Sequence, residues 1–382
     1  MVRLGDVCET RHDRTFPLSE EKVWLLNLDK IEPQTGKILA YEYVKSSELG
    51  QSICQFDDSN VLYSKLRPYL NKVVLPEKSG FATSELIPLS IKNNIEREYL
   101  AAFLRSDFFV AHISEKVAGA KMPRVIMQDF YETAIPLPPL EVQRQMAATL
   151  DKCTVIIVKH KAMLEKYDLL IKSRFVEMFG DPVANPMGWE MRKMKEITSK
   201  IGSGATPRGG RESYVCEGIP LIRSMNVYNG HFEYDGLAYI TELQARELEN
   251  VTLKENDVLL NITGASVARC CILPKGILPA RVNQHVSILR AKEIVNPLFL
   301  CNLLISDSEQ KILLRIGDSG GATREAITKN DLEEMRIPVP PLPLQKQFAG
   351  FVRKTDAAKA KVRESLQKTE TLYKALMQDY FG

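Results

Sequence analysis

One stretch of this chain occurs twice, 202 residues apart. Ile135-Pro136-Leu137-Pro138-Pro139-Leu140 returns as Ile337-Pro338-Val339-Pro340-Pro341-Leu342. Gln143-Arg144-Gln145-Met146-Ala147 returns as Gln345-Lys346-Gln347-Phe348-Ala349, and Met178-Phe179-Gly180 as Tyr380-Phe381-Gly382. Upstream, Gly119-Ala120 and Asp129 align with Gly321-Ala322 and Asp331 at the same shift, so no gap is needed. Periods of about 20–50 residues make solenoids. A period of 202 instead implies two whole domains, each followed by the same appendage, and 382 residues suit that division.

Each appendage reads as a long helix. Its apolar seam runs Leu150, Cys153, Ile157, His160, Leu164, Tyr167, Ile171 in steps of three and four. The second copy runs in the same phase through Val352, Thr355, Lys359, Val362, Leu366, Thr369, Tyr373, Leu376. The prolines at 136, 138, 139, 338, 340, 341 and 343 set extended entries, and Gly180-Asp181-Pro182 ends the first helix. At 1.5 Å per residue each helix extends roughly 55–60 Å. If the seams pair, connectivity makes the second helix return antiparallel towards the first domain. The expected architecture is α+β: two globular heads in a pseudo-twofold arrangement, separated by a long antiparallel two-helix coiled coil. The expected boundaries are head one 1–134, first spacer helix 135–180, head two 181–335 and second spacer helix 336–382. Within the heads, 60–63, 72–75, 258–260 and 286–289 read as strands, and Tyr99–Phe109 and Leu298–Leu314 as helices.

The charge lies on the appendages. Head one has 17 basic and 19 acidic residues and head two 18 and 20, so each is −2. The appendages hold 7 against 5 and 9 against 4. Heads of this sign would touch nucleic acid only through local basic clusters, and with help from further proteins. The run Thr154–Val158 is too short to span a membrane, and Met1–Arg14 lacks the apolar stretch of a signal peptide. Seven cysteines without CxxC spacing suggest reduced thiols in a cytoplasmic protein, with Cys270-Cys271 a buried strand pair.

Catalytic signatures are missing from the sequence. Gly202-Ser203-Gly204-Ala205-Thr206-Pro207-Arg208-Gly209-Gly210 is glycine-rich, but no Lys-Ser or Lys-Thr follows as a P-loop requires. Its exposed amides, with Arg208 and Arg211, suit approach to a phosphate backbone. Asn185-Pro186-Met187-Gly188 lacks the second proline and the aromatic residue of an amino-methylating motif. The five histidines form no HxH or HExxH pattern, and no GxSxG elbow occurs.

The element Pro-Leu-Pro-Pro-Leu-x-x-Gln at 136–143, matched by Pro-Val-Pro-Pro-Leu-x-x-Gln at 338–345 and followed each time by a long helix, resembles the specificity subunits of type I restriction-modification systems. So do Gly188-Trp189-Glu190, Gly204-Ala205-Thr206-Pro207, Gly218-Ile219-Pro220-Leu221-Ile222-Arg223 and Leu62 through Lys72. The resemblance spans essentially the whole chain. It implies two target-recognition domains, each followed by a conserved helical region, that read a two-part DNA sequence with a fixed gap. It also implies that the chain itself carries no catalytic residues. Two methyltransferase subunits would dock on the helices and use S-adenosylmethionine. Restriction subunits would add ATP- and Mg-dependent translocation and cleavage. A coiled-coil scaffold without DNA specificity and a fused methylating endonuclease are the rival classes.

Reading bases requires paired donors and acceptors in turns: Arg for guanine, Asn or Gln for adenine. Phosphate contacts position without specifying. The candidates for DNA contact are Lys65, Arg67, Tyr69, Lys121 and Arg124 in head one. In head two they are Thr206, Arg208, Arg211, Arg223, Asn226, Arg281, Asn283, Gln284 and Arg324. Lys121-Met122-Pro123-Arg124 and Thr323-Arg324 stand at equivalent repeat positions, which singles out that loop pair.

Overall fold

In the computed structural model, residues 1–11, 20–50, 52–119, 121–318 and 326–382 are described, the side chain of Arg211 excepted. They fall into two units, 1–162 with 363–382, and 163–362. Each unit holds one head and part of both long helices, so the regions 135–180 and 336–382 are each shared between units.

Head one is built from strands β1 (Cys8–Thr10), β2 (Lys22–Leu26), β3 (Glu42–Lys45), β4 (Ile53–Phe56), β5 (Val61–Ser64), β6 (Val73–Val74), β7 (Gly80–Thr83) and β8 (Leu86–Ile91). They form two sheets, in the orders β1-β8-β5-β6 and β3-β2-β7-β4. Among the described residues of these two sheets, only β2 and β7 pair in parallel. Every residue of β5 is buried, which is why Val61-Leu62-Tyr63 reads as an unbroken apolar run. Helices α1 (Arg97–Arg105) and α2 (Asp107–Ser114) follow, where the sequence suggested one helix. Ser106 divides them: its backbone is extended, and its hydroxyl accepts from the Phe109 amide at 3.1 Å as an N-cap. The long helix α3 then runs Leu140–Phe179.

Head two repeats the plan. Its strands are β9 (Thr198–Ser203), β10 (Ile219–Ile222), β11 (Ala238–Ile240), β12 (Val258–Asn261), β13 (Cys270–Ile272), β14 (Arg281–Val282) and β15 (Val286–Ala291). The sheets have the orders β9-β15-β12-β13 and β11-β10-β14, again with one parallel pair, β10 with β14. Cys270 and Cys271 are buried in β13. The expected helix Leu298–Leu314 is likewise two, α4 (Pro297–Leu304) and α5 (Asp307–Asp318), with the Ser306 hydroxyl accepting from the Glu309 amide at 3.4 Å. The second long helix, α6, spans Leu342–Phe381 and tolerates Pro343 because its first turn needs no amide donor.

The repeated glutamines explain themselves in this fold. Gln143 is fully buried; its Oε1 accepts from the Glu96 amide at 2.9 Å, while Nε2 donates to Pro138 O at 2.8 Å and Asn94 O at 3.2 Å. Gln345, equally buried, accepts from the Asn296 amide at 2.8 Å and donates to Pro340 O at 2.7 Å and Ile294 O at 3.3 Å. Glu96 and Asn296 are the N-cap residues of α1 and α4. Each glutamine therefore ties the start of a long helix to the start of a head helix.

The repeated Phe-Gly ends act as plugs. In the first unit Phe381 packs on Tyr99 and Phe103, with ring centroids 5.3 and 5.7 Å away. In the second, Phe179 packs on Phe299 at 4.8 Å and Phe348 at 5.5 Å. The end of α6 thus lies in the core of head one, as the antiparallel return requires. Within the first unit Lys161 pairs with Glu370 at 3.1 Å. Within the second, Lys359 pairs with Asp168, and Arg174 lies over the Phe351 ring. Within the second unit, partners on α6 fall in number as those on α3 rise, from 168 with 359 to 174 with 351. None of the predicted seam residues is exposed. Lys359, a charged seam residue, is 6% exposed.

One buried carboxyl makes stability depend on pH. Glu309 is 3% exposed, and burial, then the neighbouring Asp181 charge, pushes its pKa up to about 7. Below the ordinary glutamate value both folded and unfolded states are protonated and the group is neutral to stability. As pH rises towards 7 only the unfolded chain ionises, so stability falls, by up to about 3 kcal/mol once pH exceeds the folded value. Glu309→Gln should therefore be more stable than the parent at pH 8 and equal to it near pH 4. Urea unfolding at the two pH values checks this.

Candidate nucleic-acid interface

In both heads three chain segments are laced side by side beyond the ends of β5 and β12. In head one the Lys65 amide donates to Glu85 O at 3.0 Å, and Lys65 O accepts from the Val125 amide at 2.8 Å. In head two the Ile262 amide donates to His285 O at 3.0 Å, and Ile262 O accepts from the Ile327 amide at 2.8 Å. Isolated bridges Leu66↔Arg124 and Thr263↔Ala326 complete the match. One backbone frame therefore carries Lys65, Glu85 and Arg124 in head one, and Ile262, His285 and Ala326 in head two. Arg124 corresponds to Ala326, the same correspondence that the shift of 202 gives. Arg324 lies outside the described residues, as does the side chain of Arg211.

Three of the five head-one candidates, Lys65, Arg67 and Arg124, gather on this frame, and Lys121 stands three residues before Arg124. Arg67 is exposed and sits at φ 51°, with its amide donating to Pro123 O at 2.8 Å. Lys65 is half-buried, and Lys121 and Arg124 are exposed. The Arg124 Nε donates to both Glu85 oxygens, at 3.0 and 3.2 Å. Tyr69 is exposed on the following turn, where its carbonyl accepts from Gln34 Nε2 at 3.0 Å.

Head two separates its candidates. Thr206 and Gln284 meet through a hydrogen bond, and Gln284 Nε2 lies 3.2 Å from His285 Nε2. His285 Nδ1 lies 2.5 Å from the Thr263 hydroxyl. The Gly204 amide donates to Asn283 O, and a Cβ on Gly204 would stand 1.8 Å from Val282 O. Close approach, not looseness, is thus what the glycine supplies. Arg208 is exposed on the same loop. Asn283 is 4% exposed and its Oδ1 accepts from the His285 amide at 3.0 Å.

The remaining three are engaged by their own domain. Asn226 is fully buried; Oδ1 accepts from the Arg223 amide at 3.1 Å and Nδ2 donates to Glu233 O at 3.0 Å. Arg223 donates to Gly236 O and lies over the Tyr214 ring at 5.4 Å. Arg281 donates to Ala245 O at 3.0 Å and Ala280 O at 3.1 Å, and burial lowers its pKa from the usual arginine value. Glu85, His285 and Thr263 are polar residues of the frame that the sequence did not single out.

The family model for the type I restriction modification DNA specificity domain matches residues 1–166 and 186–369, one copy to each head with its helix. The chain belongs to that family. The MjaVIII specificity subunit of Methanocaldococcus jannaschii is 26% identical over 315 residues, covering 77% of this chain and 72% of that one. The EcoBI specificity subunit of Escherichia coli is 20% identical over 303 residues, covering 72% and 63%. Among solved structures, the S subunit of a type I restriction-modification system from M. genitalium matches with TM-score 0.62 and 14% identity, over 100% of this chain and 95% of that one. A chain from the type I R-M system, solved for complex assembly and conformational transition, matches with TM-score 0.59 and 22% identity over 100% and 96%. This specificity subunit is thus the DNA sequence-recognising component of its system. Among the described residues, no helix is long and apolar enough to cross a membrane.

Proposed function

We propose that this subunit reads an asymmetric two-part sequence in double-stranded DNA, one part per head, and is itself non-catalytic. Two methyltransferase subunits dock on the helices and supply the S-adenosylmethionine chemistry. Restriction subunits supply the ATP- and Mg-dependent translocation and cleavage. The observation that carries this reading is the shared frame: the same hydrogen bonds hold Lys65, Glu85 and Arg124 in one head but Ile262, His285 and Ala326 in the other. A common scaffold with different side chains at its rim is what separate readout of two half-sites requires.

Because the net charge of each head is −2, strong specific binding should depend on the partners. The purified chain should neither methylate nor cut DNA. Combined with its methyltransferase subunits and S-adenosylmethionine, it should direct adenine methylation to one two-part motif. Methyl transfer by the rigorously purified chain would contradict the non-catalytic reading and favour a fused enzyme. Assembly with no effect of DNA sequence would favour a scaffold.

A further inference from the structure

We propose, resting on the function above, that each head presents one base-reading side chain aimed in advance by its own hydrogen bonds: Arg124 for a guanine in the first half-site, and Gln284 for an adenine in the second. Arg124 is held through Nε alone, by both oxygens of Glu85. Its two terminal amino groups make no hydrogen bond among the described residues, and the side chain is 45% exposed. A carboxylate on Nε restrains the guanidinium without using its terminal donors. That leaves the terminal pair of donors for an outside partner, and a pair of donors matches the two acceptors, O6 and N7, of guanine.

Gln284 is fixed differently, to a complementary end. The Thr206 hydroxyl donates to its Oε1. Its Nε2 donates to His285 Nε2, which leaves the His285 proton on Nδ1, donated to the Thr263 hydroxyl. Every link in this chain has one donor and one acceptor. What remains on the exposed amide is one N–H and one oxygen lone pair side by side. Adenine offers the converse pair in the major groove, N7 as acceptor and N6 as donor. Glu85, Thr206, His285 and Thr263 act as positioning residues, reducing the conformational freedom lost on binding.

The two assignments are tested on the assembled methyltransferase complex by mapping every methylated site in a random-sequence library. Arg124→Ala should relax one guanine in one half-site, lowering discrimination there roughly 5- to 150-fold, and leave the other half-site unchanged. Gln284→Ala should relax one adenine of the other half-site, distinct from the methylated base, which must leave the stack. Thr206→Val should weaken discrimination at that same adenine and Thr206→Ser should restore it, which a merely structural role would not produce. A two-part motif that survives Arg124→Ala and Gln284→Ala unchanged would overturn the inference while leaving the proposed function intact, as would equal weakening at all sites. A parent complex with no two-part motif would instead contradict the function itself.

Discussion

Gln345→Leu should lower the stability of the second unit by about 3–5 kcal/mol, and Gln143→Leu should do the same to the first. Leucine fills a similar volume, so little of the loss comes from a cavity. It comes from the groups left behind. In the second unit these are the Asn296 amide and the carbonyls of Ile294 and Pro340, all satisfied by one buried side chain. Each buried polar group stranded without a partner costs about 1–3 kcal/mol, carbonyls less than amides. The Asn296 amide opens α4, so hydrogen exchange should show faster opening at that helix start before the rest of head two. Urea unfolding gives the total. A loss below about 1 kcal/mol would mean that water replaces the amide, and that the repeated glutamine does not clamp helix to head.

The appendages were legible in the sequence because their copies align without a gap. A fixed shift of 202 carries Gln143 to Gln345 and Phe179 to Phe381, and both pairs do the same structural work in their own units. The seam was legible for a related reason: a period of three and four survives polar substitutions such as Thr355 and Lys359, because both are buried by the same geometry. The common topology of the heads was not legible. Equivalent backbone contacts place Val7 opposite Ile197 and Lys92 opposite Lys292, shifts of 190 and 200. Insertions and deletions between strands erase the register that a sequence comparison needs.

That drift is also why the candidate site was only partly readable. Ser84 corresponds to Gln284 and Glu85 to His285 through strand pairing, not through a repeated motif. Residue type alone selected Asn226, Arg223 and Arg281, each of which makes side-chain hydrogen bonds within head two. Arg124 and Gln284 meet the same chemical criterion and remain at the rim. Only the three-dimensional pairing distinguishes these cases, since buried polar groups must be satisfied internally. The single helices expected near the end of each head divide for a local reason. Ser106 and Ser306 each offer a hydroxyl to an amide three residues on, and that bond competes with helix continuation.

Exchange of residues 181–335 for the second head of another specificity subunit should rewrite one half of the methylated motif completely and leave the other half unaltered. The junctions favour such an exchange. Gly180 follows the end of α3 at φ 75°, and the strand Met191–Lys193 pairs with Arg336–Pro338 through the backbone, which another sequence can reproduce. The plug Phe179 and the Phe348 ring it packs on stay with this chain, so the incoming head meets the same aromatic pair. Methylated adenines mapped across a genome that carries the hybrid and its methyltransferase give the answer in one experiment. Separate reading by the two heads predicts a hybrid motif, with the first half-site retained base for base. Change in both half-sites, or in neither, would contradict it.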